Sequence, residues 1–541
     1  MDANGDYTNA GNNYYRLLVY DWKDLNGNGI YWNDLNGNGV VNTGEMEPME
    51  INRYTYSYPY GTTLEARVHD PLTRYHNGIL VGIQHRIKTA LAPVVPINIK
   101  VEFYKKADWN MLTLEKTAIK VPNGKSVGVE VYVHVPEDTP VGLYEGTINV
   151  NDGTKVTVVP VLVNVAPADA DGSPTATFSF GCTPPANTLY DNGRVFGAFD
   201  WNWRDESGDW RFYFVDVPKR EVKAGTKLIV DTTWSTLPTD IDTWVYGPEE
   251  DVFSDTWPSR YGPYTLGYKG GSQKVYAGSG IYKFQTSTGG AEEVISADAV
   301  PGLNLIALHN VLYNDAFGEH FSGKVGTFTV TPIPVSITTS TSTGTQVMSA
   351  VSSLDLAGIT AMAYGMSLPQ HLTGQTIYQD DPANFMTASW KQMYMLSNAG
   401  SFEVNLYVGS NDLDLYILYD ANNDGIPQSG ELIASSTAPA GVDEYIKILL
   451  PTDGRYWVFV HGWAVSPSPS TFSIDISIIQ GTMLTVSNLP VGSIPAGTTV
   501  TFNLDYNLDG LAAGTWSGLL FVGPINAPTA VAVPVEIVYT P

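Results

Sequence analysis

The sequence predicts an all-β protein built from tandem β-sandwich domains, and three observations carry that reading. Aromatic residues are 12% of the 541 residues, with 32 Tyr and 13 Trp, and they recur with Val, Thr, Gly and Pro in short alternating runs. Such side chains at a period of two suit a pleated, half-buried surface. The chain is also too long for one core and has apolar material for about three to five domains. Finally, two internal repeats divide it.

In the first repeat, 121–165 and 494–538 keep their landmarks in step: Pro122 with Pro495, Gly124 with Gly497, Gly142-x-Tyr144-x-Gly146 with Gly514-x-Trp516-x-Gly518, and Pro160 with Pro534. Alternating runs split by Gly and Pro are the pattern of an immunoglobulin-like or fibronectin-like sandwich. In the second repeat, "KLIVDTTWSTLPTDIDTWVYGPEED" (227–251) matches "SFEVNLYVGSNDLDLYILYDANNDG" (401–425), each with a later apolar strand, "GLNLIALHNV" or "GRYWVFVHGW". The N-terminal "YYRLLVYDWKDLNGNG" is a third, partial relative that pairs Tyr20-Asp21 with Tyr419-Asp420 and places Asn13 and Tyr15 where Asp412 and Asp414 stand. The chain is therefore expected to begin inside a domain. Five units follow: 1–92, 93–168, 169–333, 334–480 and 481–541. The run at 333–346 reads as a linker or an extended first strand, and the Ala-, Met- and Ser-rich 347–400 as a place for a short helix.

With 29 basic and 55 acidic residues, the net charge of -26 repels nucleic acid and anionic membranes and attracts divalent cations. No stretch reaches the roughly 18 apolar residues of a membrane span, and the first twenty residues lack the basic-then-apolar order of an export signal. Cys182 is the single cysteine, so no disulfide forms within the chain; it reads as a small buried apolar residue. No asparagine stands in an N-x-S/T sequon.

The sharpest local signal is Asp34-x-Asn36-x-Asn38-Gly39-Val40-x-Asn42-x-x-Glu45. A twelve-residue calcium loop takes side-chain oxygens at positions 1, 3 and 5, glycine at 6, a main-chain carbonyl at 7 and a bidentate carboxylate at 12. Asp420, Asn422, Asp424, Gly425, Ile426 and Glu431 fill the same slots. A third loop, Asp24, Asn26 and Asn28, has Leu35 at position 12; it either shares Asp34 in a two-ion cluster or is a pair of Asn-Gly turns. Strand-like flanks argue for hairpin insertions, not helix-loop-helix EF-hands. Two or more Ca2+ ions are expected.

Asp240/Asp242 and Asp412/Asp414 alternate, so each pair is expected on one side of a strand. They would complete calcium sites, or form a solvated edge, or serve glycoside hydrolysis. Their repetition argues for structure over catalysis. The eight histidines form neither HExxH nor an HxH pair, so zinc is not indicated. His309 and His461 close equivalent strands as structural histidines. No G-x-S-x-G elbow occurs. The aromatic run at 199–214 reads as sandwich core, with a sugar-binding platform as the weaker alternative.

"TDIDTWVYGPEED" and "NDLDLYILYDANNDG…GRYWVFVHG" resemble the pre-peptidase C-terminal domain, a β-sandwich appended to secreted bacterial and archaeal proteases. The whole order, including "INRYTYSYPYG" and "VPEDTPVGLYEGTINV", resembles the C-terminal extension of pyrolysin-type subtilisin-like serine proteases of heat-loving archaea. That resemblance implies an extracellular or surface-attached, calcium-binding, heat-resistant accessory chain that positions a protease or its substrate. The subtilisin "DSG", "HGTH" and "GTSMA" boxes are absent, and "GTQVMSA" at 344–350 carries Gln346 where the serine would stand, so protease activity does not carry over. The competing reading is a structural subunit of a filament, surface layer or adhesin that exchanges strands between copies. A carbohydrate-active enzyme, resting only on acids and aromatics, is weaker. Expected partners are proteins: the protease domain, a cell-surface protein or identical subunits.

Overall fold

The computed structural model describes residues 13–40, 43–56, 78–87, 99, 101, 111–137, 139–181, 193–195, 210–234, 240–248, 268–271, 275–277, 280–282, 291–312 and 319–541. The architecture is all-β and multi-domain, as the alternation predicts. Among the described residues the helical pieces are three-residue 3₁₀ turns, such as Thr43–Glu45 and Ser429–Glu431. No described helix is long and apolar enough to cross a membrane.

The N-terminal sheet places Asn13–Trp22 between Met49–Tyr56 and Ile79–Ile87, all antiparallel. The next unit shows two hairpins, Leu112–Leu114 with Val131–Val133 and Gly142–Asn151 with Val156–Val165, over a small core of Met111, Tyr144 and Val163.

Two sandwiches follow with matching topology. In one, Trp210–Val217, Gly302–Leu312 and Asp240–Tyr246 run side by side and face Glu292–Asp298, Thr226–Trp234 and Glu319–Thr331. In the other, Trp390–Leu396, Gly454–Ala464 and Asp412–Tyr419 face Glu444–Leu449, Ala399–Tyr407 and Ser470–Gln480. Buried Leu228 and Val230 in the first core correspond to Phe402 and Val404 in the second. The internal repeat read from the sequence is thus also a repeat of strand order.

The expected division at 334 and 481 does not match the pairing. Val335–Thr339 runs parallel to Val531–Tyr539, Thr343–Ser352 pairs with Thr499–Asn507, and Ile359–Ser367 pairs with Gly514–Pro524. Met348, Ala350 and Ile359 share one core with Phe502, Leu520, Val533 and Ile537. The C-terminal sandwich is therefore discontinuous, and the sandwich spanning 370–480 is inserted between its halves. The physical reason is that 335–367 supplies apolar alternation which only the final strands can cover. The 347–400 segment is strand with one 3₁₀ turn at Phe385–Thr387, where a helix was expected. The 333–346 run is neither a plain linker nor one extended strand: it holds Val335–Thr339, a bend at 340–342 and the start of Thr343–Ser352, which lie in different sheets. Glu319–Thr331 also pairs with Thr343–Ser352, so one sheet runs from the preceding sandwich into this one.

One device recurs in four places. Tyr144 Oη donates to the Pro140 carbonyl (2.8 Å), Tyr456 Oη to Thr452 (2.8 Å), Asn304 Nδ2 to Val300 (2.7 Å) and Trp516 Nε1 to Ala512 (3.1 Å). Each bond reaches the carbonyl four residues upstream and fixes how the chain turns into its strand, as a tyrosine corner does. Gly302 (φ 105°) and Gly454 (φ 145°) open the two equivalent strands, in a region that other residues rarely adopt.

Candidate metal centres

The first N-terminal loop leaves the end of the strand Asn13–Trp22, the second is closed by the Trp32–Met46 bridge, and the third leaves Asp412–Tyr419. All three fold on the same side-chain network. Position 1 uses its second carboxylate oxygen to accept the position-6 N–H: Asp24 from Gly29 (2.9 Å), Asp34 from Gly39 (2.8 Å), Asp420 from Gly425 (2.9 Å). Position 3 accepts the position-5 N–H, at Asn26, Asn36 and Asn422. Position 5 accepts the position-7 N–H, at Asn28, Asn38 and Asp424. Ile30, Val40 and Ile426, at position 7, expose their side chains. Asx side chains bonded to nearby N–H groups wind the chain about one centre and bring their oxygens to it.

A buried glutamate closes the two complete loops, each on a 3₁₀ turn. Glu45 accepts the Asn36 N–H at 3.1 Å and the Trp32 indole N–H at 3.4 Å. Glu431 accepts the Gln428 N–H at 2.9 Å. Its other oxygen, Oε1, is buried without a hydrogen-bond partner, although Glu431 is only 8% exposed. A buried carboxylate oxygen left unpaired is costly, and a cation would satisfy it. The residues present fit a hard divalent ion bound by oxygens. Among the described residues no group of three His, Cys, Asp or Glu side chains could hold an ion by itself, so Asn and main-chain oxygens complete the proposed sets.

The first loop differs from expectation. Glu47, 5% exposed, reaches it: Oε2 accepts the Leu25 N–H at 3.3 Å and the Trp22 indole N–H at 3.2 Å. Asp34 accepts the Asn38 and Gly39 N–H groups inside its own loop. Glu47 therefore does for the first loop what Glu45 does for the second, in place of the shared Asp34. The readable signal was the repeated Trp-x-Asp, at Trp22/Asp24 and Trp32/Asp34, answered by Glu45 and Glu47 on either side of the Trp32–Met46 bridge. Asn42 and Cys182 lie outside the described residues. Asp21, matched to Asp420 by sequence, is a buried strand residue, and the loop starts three residues later at Asp24.

The Asp-x-Asp pairs sit elsewhere. Both strands carry a register shift just after the first aspartate, between Asp240 and Ile241 and between Asp412 and Leu413, which breaks the simple alternation. Asp242 then lies opposite His309 and Asp414 opposite His461, all buried. Asp414 accepts the Tyr416 hydroxyl at 3.0 Å, and its Oδ2 is 3.6 Å from His461 Nδ1, an ion-pair distance. His461 Nε2 meets the Asp381 carbonyl at 3.0 Å. Burial favours neutral His461, but Asp414, the Asp381 carbonyl and Asp380 outweigh it and raise its pKa above 6.5. Glu444, 1% exposed, holds the Ser436 hydroxyl and the Ala438 N–H. Burial, then Asp414 and Asp412, push its pKa up against those bonds. Buried Glu293 takes the corresponding place in the earlier sandwich. Sequence inspection missed both glutamates, because nothing local joins them to the aspartates. This geometry suits a buried acid–imidazole pair better than a metal site. Of the aromatic run, 199–209 lies outside the described residues; Trp210 stacks on His309 at 4.2 Å and Tyr213 is core.

No family model matches the chain, and no curated protein matches it. Among solved structures it is similar to tripeptidyl peptidase 2 (13% identity, 76% of this chain, TM-score 0.33). The chain spans only 34% of that protein's length. It is also similar to a putative secreted protein from Eubacterium rectale (12% identity, 79% of this chain and 99% of that one, TM-score 0.15). A third is PNGF-II (10% identity, 57% and 66%, TM-score 0.16). Likeness this slight carries no functional argument.

Proposed function

We propose that this chain is a non-catalytic, calcium-stabilised array of extracellular β-sandwiches that serves a subtilisin-like serine protease by holding, attaching or positioning it. The observation that carries the calcium part is the buried, unpartnered Oε1 of Glu431 at the closing position of an Asx-wound loop. Asp34, Asn36, Asn38, the Val40 carbonyl and Glu45 would hold one ion; Asp420, Asn422, Asp424, the Ile426 carbonyl and Glu431 a second. Asp24, Asn26, Asn28 and Glu47 form the candidate for a third. When bound, the ion supplies charge neutralisation and a cross-link between loop and strand ends; the chain's own part is to pre-arrange the oxygens. The protease association rests on the sequence resemblance. Metal analysis of protein dialysed against calcium should find at least two ions per chain; none would sink the calcium reading. A coding sequence that continues upstream of Met1 into a subtilisin-like catalytic domain would support the association, and an export signal there with no such domain would count against it.

A further inference from the structure

The three loops share a network but not a surrounding. At Gly29 and Gly39 the space where a side chain would start is open, whereas at Gly425 (φ +78°) a Cβ would lie 2.7 Å from Arg455 Nη1. That guanidinium covers the loop and donates to Asp420 Oδ2 at 2.6 Å, where the Asp420 side chain is fully buried. The Arg455 carbonyl also accepts the Asp420 N–H at 3.0 Å, so the arginine is anchored on the neighbouring strand Gly454–Ala464. The sequence supplies a reason for the difference. This loop has Asp424 where the others have Asn28 and Asn38, giving three carboxylates with Glu431. Arg455 returns it to the net charge of the Asp34 and Glu45 pair.

We infer that Arg455 is a built-in counter-ion that regulates the Asp420 site: it holds the metal-free loop in shape and competes with the incoming divalent ion, setting a weak, reversible affinity. This rests on the reading of the loop as a calcium site. The independent mark of that site is Glu431 Oε1, buried and unpaired while Asp420 is already satisfied. A fixed positive charge beside the ion opposes binding through Coulomb repulsion, and in a partly buried setting solvent screens it poorly. Without the ion, the same charge pairs with Asp420 and offsets the loop's excess negative charge. An affinity weakened in this way would fall toward the roughly 10⁻⁴ to 10⁻³ M typical of extracellular calcium modules.

The test is calorimetric titration of the full chain with calcium chloride, comparing wild type, Arg455→Met, Arg455→Lys and Glu431→Gln. Glu431→Gln identifies which part of the binding belongs to this loop. Arg455→Met keeps the packing of the stem and should tighten that part by about tenfold, and it should enlarge the rise in melting temperature on adding calcium. Arg455→Lys keeps the charge and should stay within about twofold of wild type, which guards against a folding defect in the methionine variant. Unchanged or weaker Glu431-dependent binding in Arg455→Met would overturn the inference alone, because arginine would then merely orient Asp420. Absence of calcium binding in every variant would overturn the calcium reading and the inference with it.

Discussion

His461 lies between the Asp414 carboxylate and the Asp381 carbonyl, so both ring nitrogens face acceptors and the charged imidazolium suits the place best. Its raised pKa fixes a sign. The folded state binds this proton more tightly than the unfolded one, so its stabilisation is fully present below about pH 6.5 and is lost as pH rises through the folded value. Asp412 and Glu444 are also raised, from 3.8 and 4.5, mainly by burial, so they act in the same direction from lower pH. Denaturant melts of the 370–480 sandwich should thus show stability falling as pH rises above about 6.5, and His461→Gln should flatten that slope. A slope of opposite sign would contradict the buried pair. A second residue-level expectation concerns Tyr456, 2% exposed. Tyr456→Phe removes its bond to the Thr452 carbonyl and should cost about 1 kcal/mol, read from the same melts. The loop oxygens were legible because a calcium loop is local: its ligands fall within twelve residues. Arg455 and Glu444 were not, since each meets its partners across neighbouring strands, and Glu47 left only the indirect sign of the repeated Trp-x-Asp.

At the level of strands, alternation made the β class plain, and the two repeats predicted two pairs of similar units. Repeats report likeness between segments, however, and not which strand lies beside which. Val335 pairs with Val535, on the far side of the whole inserted sandwich in sequence, and nothing near Val335 announces that partner. The short helix expected in 347–400 failed for a related reason: Ala and Met suit helices in isolation, but here Met348 and Ala350 fill a core shared with the last strands. Two consequences are measurable. A fragment of residues 370–480 should fold alone with a cooperative melt, because its own strands enclose its core. A fragment of 334–480 should carry an unfolded or aggregating N-terminal portion by NMR, because its partners at 499–539 are missing. Within the inserted sandwich, Phe402→Ala should cost about 3 to 5 kcal/mol, since Phe402 is fully buried against Tyr394 and Tyr456.

For the whole molecule, a net charge of -26 without any disulfide within the chain leaves self-repulsion that bound cations would relieve. The Asx-wound loops follow a strand end or a strand-like bridge, where fraying would begin, so an ion bound there would tie a hairpin instead of opening a helix pair. Metal held only by the folded state adds its binding free energy to stability, about 2.7 kcal/mol per site at a hundredfold excess over Kd. The most direct measurement is scanning calorimetry of the full chain in calcium and after chelation, with metal removal verified by elemental analysis. The account predicts that chelation lowers the transitions of the loop-bearing domains by roughly 5 °C or more, and that Glu431→Gln removes the calcium response of the 370–480 sandwich alone. Identical transitions with and without calcium would contradict it.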